Sequence, residues 1–204
     1  MRLYYTPGAC SLSPHVTLRE LGLPFELVKV DLRGKVTAGG VDFRTISPAG
    51  YVPALELDDG TVMTEGAIMV QYLGELKPEA GLVPAYGTPA RWQLMQWLHF
   101  VATELHKGMS PLYNAKAGAE YRAALLDRLG GRLRVLEQRV GDGPYLMGAQ
   151  FTVVDPYAFY VLRAWQALSK GDLTAWPGLA AYYARLGERP SVQAALAAEA
   201  PPGR

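Results

Sequence analysis

Residues 54–76 read ALELDDGTVMTEGAIMVQYLGEL, and their patterning decides the fold of the first part of the chain. Ala54–Leu57 and Thr61–Met63 are strand-like and flank Asp58-Asp59-Gly60, a turn signal, so the run predicts a β-hairpin. A helix follows from Glu65 to about Leu76, with Ile68, Met69, Tyr72 and Leu73 at core spacing. Upstream, Leu3-Tyr4-Tyr5 reads as a short strand ending at a Pro7-Gly8 turn. Ser11 or Ser13 caps a helix that has Pro14 in its first turn and ends near Gly22. Glu26 to Val30 alternates as a second strand. The order strand, helix, strand, connection, hairpin, helix predicts a small sheet with helices packed on it.

Composition changes beyond this region. Residues 1–80 hold 6 alanines with 7 basic and 10 acidic side chains; residues 81–204 hold 21 alanines with 13 basic and 9 acidic. Alanine is the strongest helix former, and helical periodicity runs at about Ala90–Lys107, Glu120–Val140, Val153–Leu168, Leu179–Leu186 and Val192–Ala198. Thr152-Val153-Val154-Asp155 has capping-box spacing with Asp at the fourth position, and a structural role as a helix cap accounts for Asp155. The proline- and glycine-rich run from Lys77 to Pro89 lacks any period and reads as a linker. The expected organisation is a mixed α/β domain over 1–80, a linker over 81–88 and an all-helical domain over 89–204. Pro201 to Arg204 read as a loose tail.

The whole-chain figures exclude several classes. A chain of 204 residues is long enough for a real core, and 50% hydrophobic with 19% charged residues is the balance of a folded globule. Twenty basic against 19 acidic side chains lack the excess of a nucleic-acid binder. The longest uncharged stretch, Leu3 to Leu18, is broken by Pro7 and Pro14 and is too short for a membrane span. Met1-Arg2 leads directly into a strand-like run and turn, so no secretory signal is expected. One cysteine rules out an internal disulfide, a CxxC pair and a cysteine zinc cluster.

Cys10 follows a turn and precedes a helix start, where backbone N–H groups and the helix dipole favour a thiolate; a buried structural cysteine fits the residue alone equally well. Gln96, His99, Thr103 and His106 are spaced i, i+3, i+7, i+10 and predict one polar stripe between apolar flanks, as on a helix facing a cleft. Core-edge histidines satisfied by backbone groups explain the pair more simply than catalysis does, and a metal site has neither HExxH spacing nor an acidic residue on that face. Thr64-Glu65-Gly66-Ala67 opens a helix and offers N–H groups to a carboxylate, although a plain cap by Thr64 or Glu65 is the simpler reading of the local sequence. Val52-Pro53 is a candidate cis peptide. Lys35 reads as a solvated loop lysine.

Together the strings YYTPGACSLSPHVTLRE, GYVPALELDDG, TEGAIMVQYL, ATELHKG, FTVVDPYAF and RPSVQAAL resemble the bacterial, beta-class glutathione transferases over nearly the whole length. That resemblance implies an α/β thioredoxin-like N-terminal domain, an all-α C-terminal domain, and a cytoplasmic homodimer that binds glutathione in the cleft between domains. It implies that glutathione is the co-substrate, that no metal, nucleic acid or membrane is involved, and that the thiolate attacks small hydrophobic electrophiles in detoxification. Cys10 and His106 match the residues that face the glutathione sulfur. Val52 matches the partner of its cysteinyl backbone, Glu65 and Gly66 of its γ-glutamyl end, and Lys35 of its glycyl carboxylate. Thr103 and Glu104 match positions near the partner subunit, and His99 stands where relatives often have asparagine. Tyr5 and Ser11 rank second, because other classes of the superfamily activate the thiol with a tyrosine or serine near this point.

Gly66 replaces a common serine, which leaves only backbone contact there. Pro156 is expected to shorten the backbone ladder of its helix. The electrophile pocket is expected around Met109, Leu112, Tyr113 and Trp165. Two alternatives remain at this level: a thiol–disulfide oxidoreductase with Cys10 as a monothiol, and a non-catalytic carrier of hydrophobic ligands.

Overall fold

The structure, a computed structural model, describes residues 1–201. Of the tail expected at Pro201–Arg204, residues 202–204 lie outside the described residues. Two compact units form: Met1–Gly81 together with the segment from Arg189 onward, and Leu82–Glu188.

The first unit is built on five strands, β1 (Arg2–Tyr5), β2 (Glu26–Asp31), β3 (Val36–Thr37), β4 (Ala54–Glu56) and β5 (Val62–Met63), in the order β3-β2-β1-β4-β5. β1 pairs parallel with β2 (Leu3 with Leu27) and antiparallel with β4 (Tyr4 with Ala54). Leu3, Tyr4 and Tyr5 are all buried, as a central strand covered on both faces requires. Tyr4 joins Val30, Phe43, Val52 and Ala54 in one core cluster. The expected hairpin forms: Leu57 N–H donates to Thr61 O (2.8 Å), and Gly60 supplies the turn's φ of +85°.

Helix α1 (Leu12–Glu20) is buried from Leu12 to Leu18 and packs against α2 (Gly66–Glu75) and α8 (Pro190–Glu199). The sequence groups α8 with the helical part, whereas here it lies on the first unit. The reason is a buried polar anchor. Glu199 Oε1 lies 2.9 Å from Nδ1 of the fully buried His15, and Glu199 Oε2 accepts the Gly8 N–H at 3.2 Å. Arg19 Nε completes the chain on His15 Nε2 at 2.8 Å, so each buried polar atom named is matched. Ile68, expected in the core, is instead 51% exposed on α2, while Met69 and Leu73 are buried.

The second unit carries α3 (Pro89–His99), a π-helical segment (Phe100–His106), a short α4 (Lys107–Met109), α5 (Ala119–Val140), α6 (Val154–Ser169) and α7 (Pro177–Gly187). Thr88 Oγ1 accepts the Arg91 N–H at 3.2 Å and Pro89 occupies the first turn, an ordinary helix start. Leu94, Leu98, Val101 and Leu105 are buried as their spacing predicts.

Asp155, fully buried near the start of α6, accepts four hydrogen bonds. Oδ1 takes the Leu146 N–H (3.0 Å) and the Tyr182 O–H (2.7 Å); Oδ2 takes the Thr152 N–H (2.7 Å) and O–H (3.1 Å). Burial pushes its carboxyl pKa up, and these donors oppose the shift. Pro156 costs the helix no ladder bond, contrary to expectation, because it lies in the first turn, where N–H groups have no intrahelical partner.

Candidate functional site

The sheet register of the first unit gathers chemistry at one end. β1 and β2 run parallel, so the loops bearing Cys10 and Lys35 leave the same, carboxyl, end. β4 runs antiparallel to β1 and starts there, immediately after Val52-Pro53, and β5 ends there, with only Thr64 between it and Glu65. Open sheets containing parallel strands commonly bind ligands beyond that end.

Cys10 is partly buried and its Sγ–H donates to the Val52 carbonyl at 3.2 Å, a bond that only the protonated thiol makes. Ser11, one of the two serines expected to cap α1, takes the N-cap position but makes no side-chain cap bond. Its hydroxyl turns back to Thr6, accepting the Thr6 N–H and donating to Thr6 O, each at 3.3 Å, and so braces the turn before Cys10. Tyr5 is 9% exposed, and burial followed by the Glu199 charge raises its hydroxyl pKa, which keeps it protonated. The Val52–Pro53 peptide is cis.

Lys35 is not a solvated loop lysine. It is partly buried, has φ +56°, and donates from Nζ to Gly50 O at 2.7 Å. Glu65 occupies the N-cap position of α2 with φ +65° but makes no side-chain cap bond, and its carboxylate is exposed. Among the described residues only three non-glycines have positive φ, and two of them are Lys35 and Glu65. Such conformations cost roughly 1–3 kcal/mol each and collect at functional positions. A Cβ on Gly66 would sit 3.7 Å from Pro53 Cγ, an ordinary contact, so packing does not demand glycine there.

In the second unit the expected stripe is broken. Lys107 N–H donates to Ala102 O, five residues back, and the Phe100–His106 segment is π-helical. α-Helical angular arithmetic therefore ends at His99. Gln96, His99 and Thr103 are exposed, and the Thr103 hydroxyl donates to His99 O at 2.8 Å. Glu104 pairs with Arg132 at 2.6 Å.

His106 turns against α6 instead. Its Nδ1 lies 2.8 Å from the Tyr157 hydroxyl, and its ring meets those of Tyr157 and Tyr160 edge-on at 5.7 and 5.1 Å. Burial, helped by the Lys107 charge, pushes its pKa down to about 4, so the imidazole is neutral at physiological pH.

Of the residues expected around an electrophile pocket, Met109, Leu112 and Trp165 are buried and Tyr113 is exposed; Trp165 stands edge-on to Trp176 at 5.7 Å, and the two line a cavity of the second unit. Sequence reasoning missed Glu199, His15, Gly50, Tyr51 and Tyr157. For Tyr157 a signal existed, because a buried hydrophobic helix must give each tyrosine hydroxyl a partner. Among the described residues no group of three or more His, Cys, Asp or Glu side chains is arranged for a metal, and no helix is long and apolar enough to cross a membrane.

The family model of the glutathione S-transferase N-terminal domain matches residues 8–76, and that of the C-terminal domain matches residues 104–199. The chain belongs to the glutathione S-transferase family. The transferase is 42% identical to glutathione S-transferase GstA of Escherichia coli O157:H7 over 98% of both chains. A sphingomonad glutathione S-transferase solved in complex with glutathione is 40% identical, with a TM-score of 0.93 over 98% of both chains. A bacterial beta-class enzyme from Sphingomonas chungbukensis is 41% identical, with a TM-score of 0.92 over the same share. The thioredoxin-like and helical arrangement expected for the transferase is the fold of these structures.

Proposed function

We propose that this transferase holds glutathione along the carboxyl end of its sheet and delivers the thiolate to small hydrophobic electrophiles. The ligand carries two carboxylates and one ammonium. Lys35 takes the glycyl carboxylate, the Val52 backbone takes the cysteinyl portion, and Glu65 takes the γ-glutamyl ammonium. The N–H groups at Gly66 and the start of α2 take the γ-glutamyl carboxylate. The observation that carries this reading is the convergence at one sheet end of Lys35 and Glu65, both held at positive φ, the lysine anchored on Gly50 O and the glutamate exposed. The sphingomonad relative's complex with glutathione supports the choice of ligand.

Rate enhancement comes from stabilising the sulfur anion with donors. His106, neutral and braced by Tyr157, donates to the sulfur or orients it, and His99, Thr103 and Glu104 complete the surroundings, the last two beside a partner subunit. A homodimer is consistent with Ile68 and Leu76 standing exposed on the α2 side of the first unit. A cytoplasmic place in detoxification suits a single reduced thiol.

One observation favours a second reading. The Cys10 thiol sits 3.2 Å from the carbonyl of Val52, the residue assigned to the cysteinyl portion of the ligand, which suits exchange with a glutathione mixed disulfide. Parallel assays of chloronitroarene conjugation and mixed-disulfide reduction separate the two. Conjugation that persists in Cys10→Ala supports the transferase reading; strong reduction with negligible conjugation overturns it in favour of the second.

A further inference from the structure

Lys35 is held by neighbours that the sequence does not mark as functional, and we propose that Tyr51 is a positioning residue. Its ring face holds the Lys35 ammonium in place for the glycyl carboxylate of glutathione. The inference rests on the assignment of Lys35 to that carboxylate and adds the residue that gives the assignment its selectivity.

Lys35 Nζ lies 5.2 Å from the Tyr51 ring centroid while donating to Gly50 O at 2.7 Å. An ammonium has three donors, so this arrangement occupies one and leaves others for an incoming anion. Gly50 makes the approach possible. Its φ is +65°, and a Cβ there would stand 3.2 Å from Lys35 Cδ and 3.4 Å from Cε and Nζ, pressing on the lysine chain. The platform itself is fixed, because the Gly50 N–H donates to Ser47 O (2.7 Å) and the hydroxyl of the buried Ser47 donates to Tyr51 O (3.2 Å).

Tyr51 is 64% exposed between two buried neighbours, Gly50 and Val52. Burial of apolar area therefore does little to explain an aromatic side chain at this position, whereas its contact with a cation does. A flexible lysine loses much rotamer freedom when it binds an anion; holding it beforehand removes part of that loss. The device acts only on a ligand whose far end is negative, and that supplies its test.

Tyr51→Leu removes the ring and keeps apolar bulk; Tyr51→Phe keeps the ring. Each is compared with the parent enzyme in KM and kcat for glutathione and for its glycinamide analogue, which has the same length without the terminal charge. Tyr51→Leu is expected to raise KM for glutathione about two- to fivefold with kcat preserved. The analogue should be little affected, and Tyr51→Phe should behave as the parent. Equal effects of Tyr51→Leu on both ligands, no effect on either, or a loss in Tyr51→Phe matching that in Tyr51→Leu overturns the role of the ring. Equal affinity of the parent enzyme for glutathione and the glycinamide overturns the Lys35 assignment itself, a separate failure visible without any variant.

Discussion

Two helix starts, one in each unit, use an acidic residue in opposite ways. At α6 the Asp155 carboxylate is fully buried and accepts four hydrogen bonds, from Leu146, Tyr182 and twice from Thr152. At α2 the Glu65 carboxylate is exposed, its backbone is held at φ +65°, and its side chain caps nothing. A carboxylate whose acceptor capacity is consumed inside the fold is a staple. One left outward at a helix start, on a backbone that resists the residue, is available to a ligand. An acidic residue near a helix start therefore serves stability in one unit and, in the proposed reading, ligand binding in the other.

The contrast breaks first at Asp155. Truncation by Asp155→Ala leaves buried N–H and O–H donors unmatched, and a loss of about 3–5 kcal/mol in unfolding free energy is expected from urea denaturation. A loss under about 1 kcal/mol would mean that the four bonds are not a staple. Glu65→Gln should show the converse: an unchanged urea midpoint and a glutathione dissociation constant raised about 10- to 100-fold, as for a lost charged hydrogen bond. A midpoint that drops with affinity intact would reverse the assignment.

Glu65→Gly sharpens the comparison further. Glycine accepts the positive φ without strain, so this variant should match or exceed the parent's stability by up to about 1 kcal/mol while binding glutathione poorly. Thermal unfolding alongside calorimetry reads both at once.

His106 supplies a pH counterpart. Its folded pKa of about 4 lies below the ordinary 6.5, so the unfolded chain takes up the proton first. Its contribution to stability is therefore complete above about pH 6.5 and is lost as pH falls through about 4. Imidazole resonances followed by NMR should titrate with a midpoint near 4. A midpoint between 6 and 7 would show that the ring is well hydrated and open to protonation at work.

Much of this architecture was legible in the chain because it rests on local signals. Asp58-Asp59-Gly60 specified the hairpin, and Thr152 with Asp155 specified the start of α6. What escaped was set by tertiary partners. β3 is two residues long and exists by pairing with Val30 and Asp31, so no alternation announces it. The docking of α8 depends on Glu199 meeting His15 and Gly8, across more than 180 residues. The π-helical segment keeps an i, i+3, i+4 pattern in sequence while its hydrogen bonds span five residues, so periodicity placed His106 beside His99 although its side chain turns to Tyr157. Lys35 looked solvated because nothing in a Gly-rich loop reveals the carbonyl of Gly50 that anchors it.

The most direct test of the central claim is calorimetric titration of the parent enzyme and Glu65→Gln with glutathione and with cysteinylglycine, which lacks the γ-glutamyl end. The open start of α2 predicts that the parent prefers glutathione by at least about tenfold and that Glu65→Gln removes most of that preference. Equal binding of the two ligands by the parent, or an undiminished preference in Glu65→Gln, would contradict it.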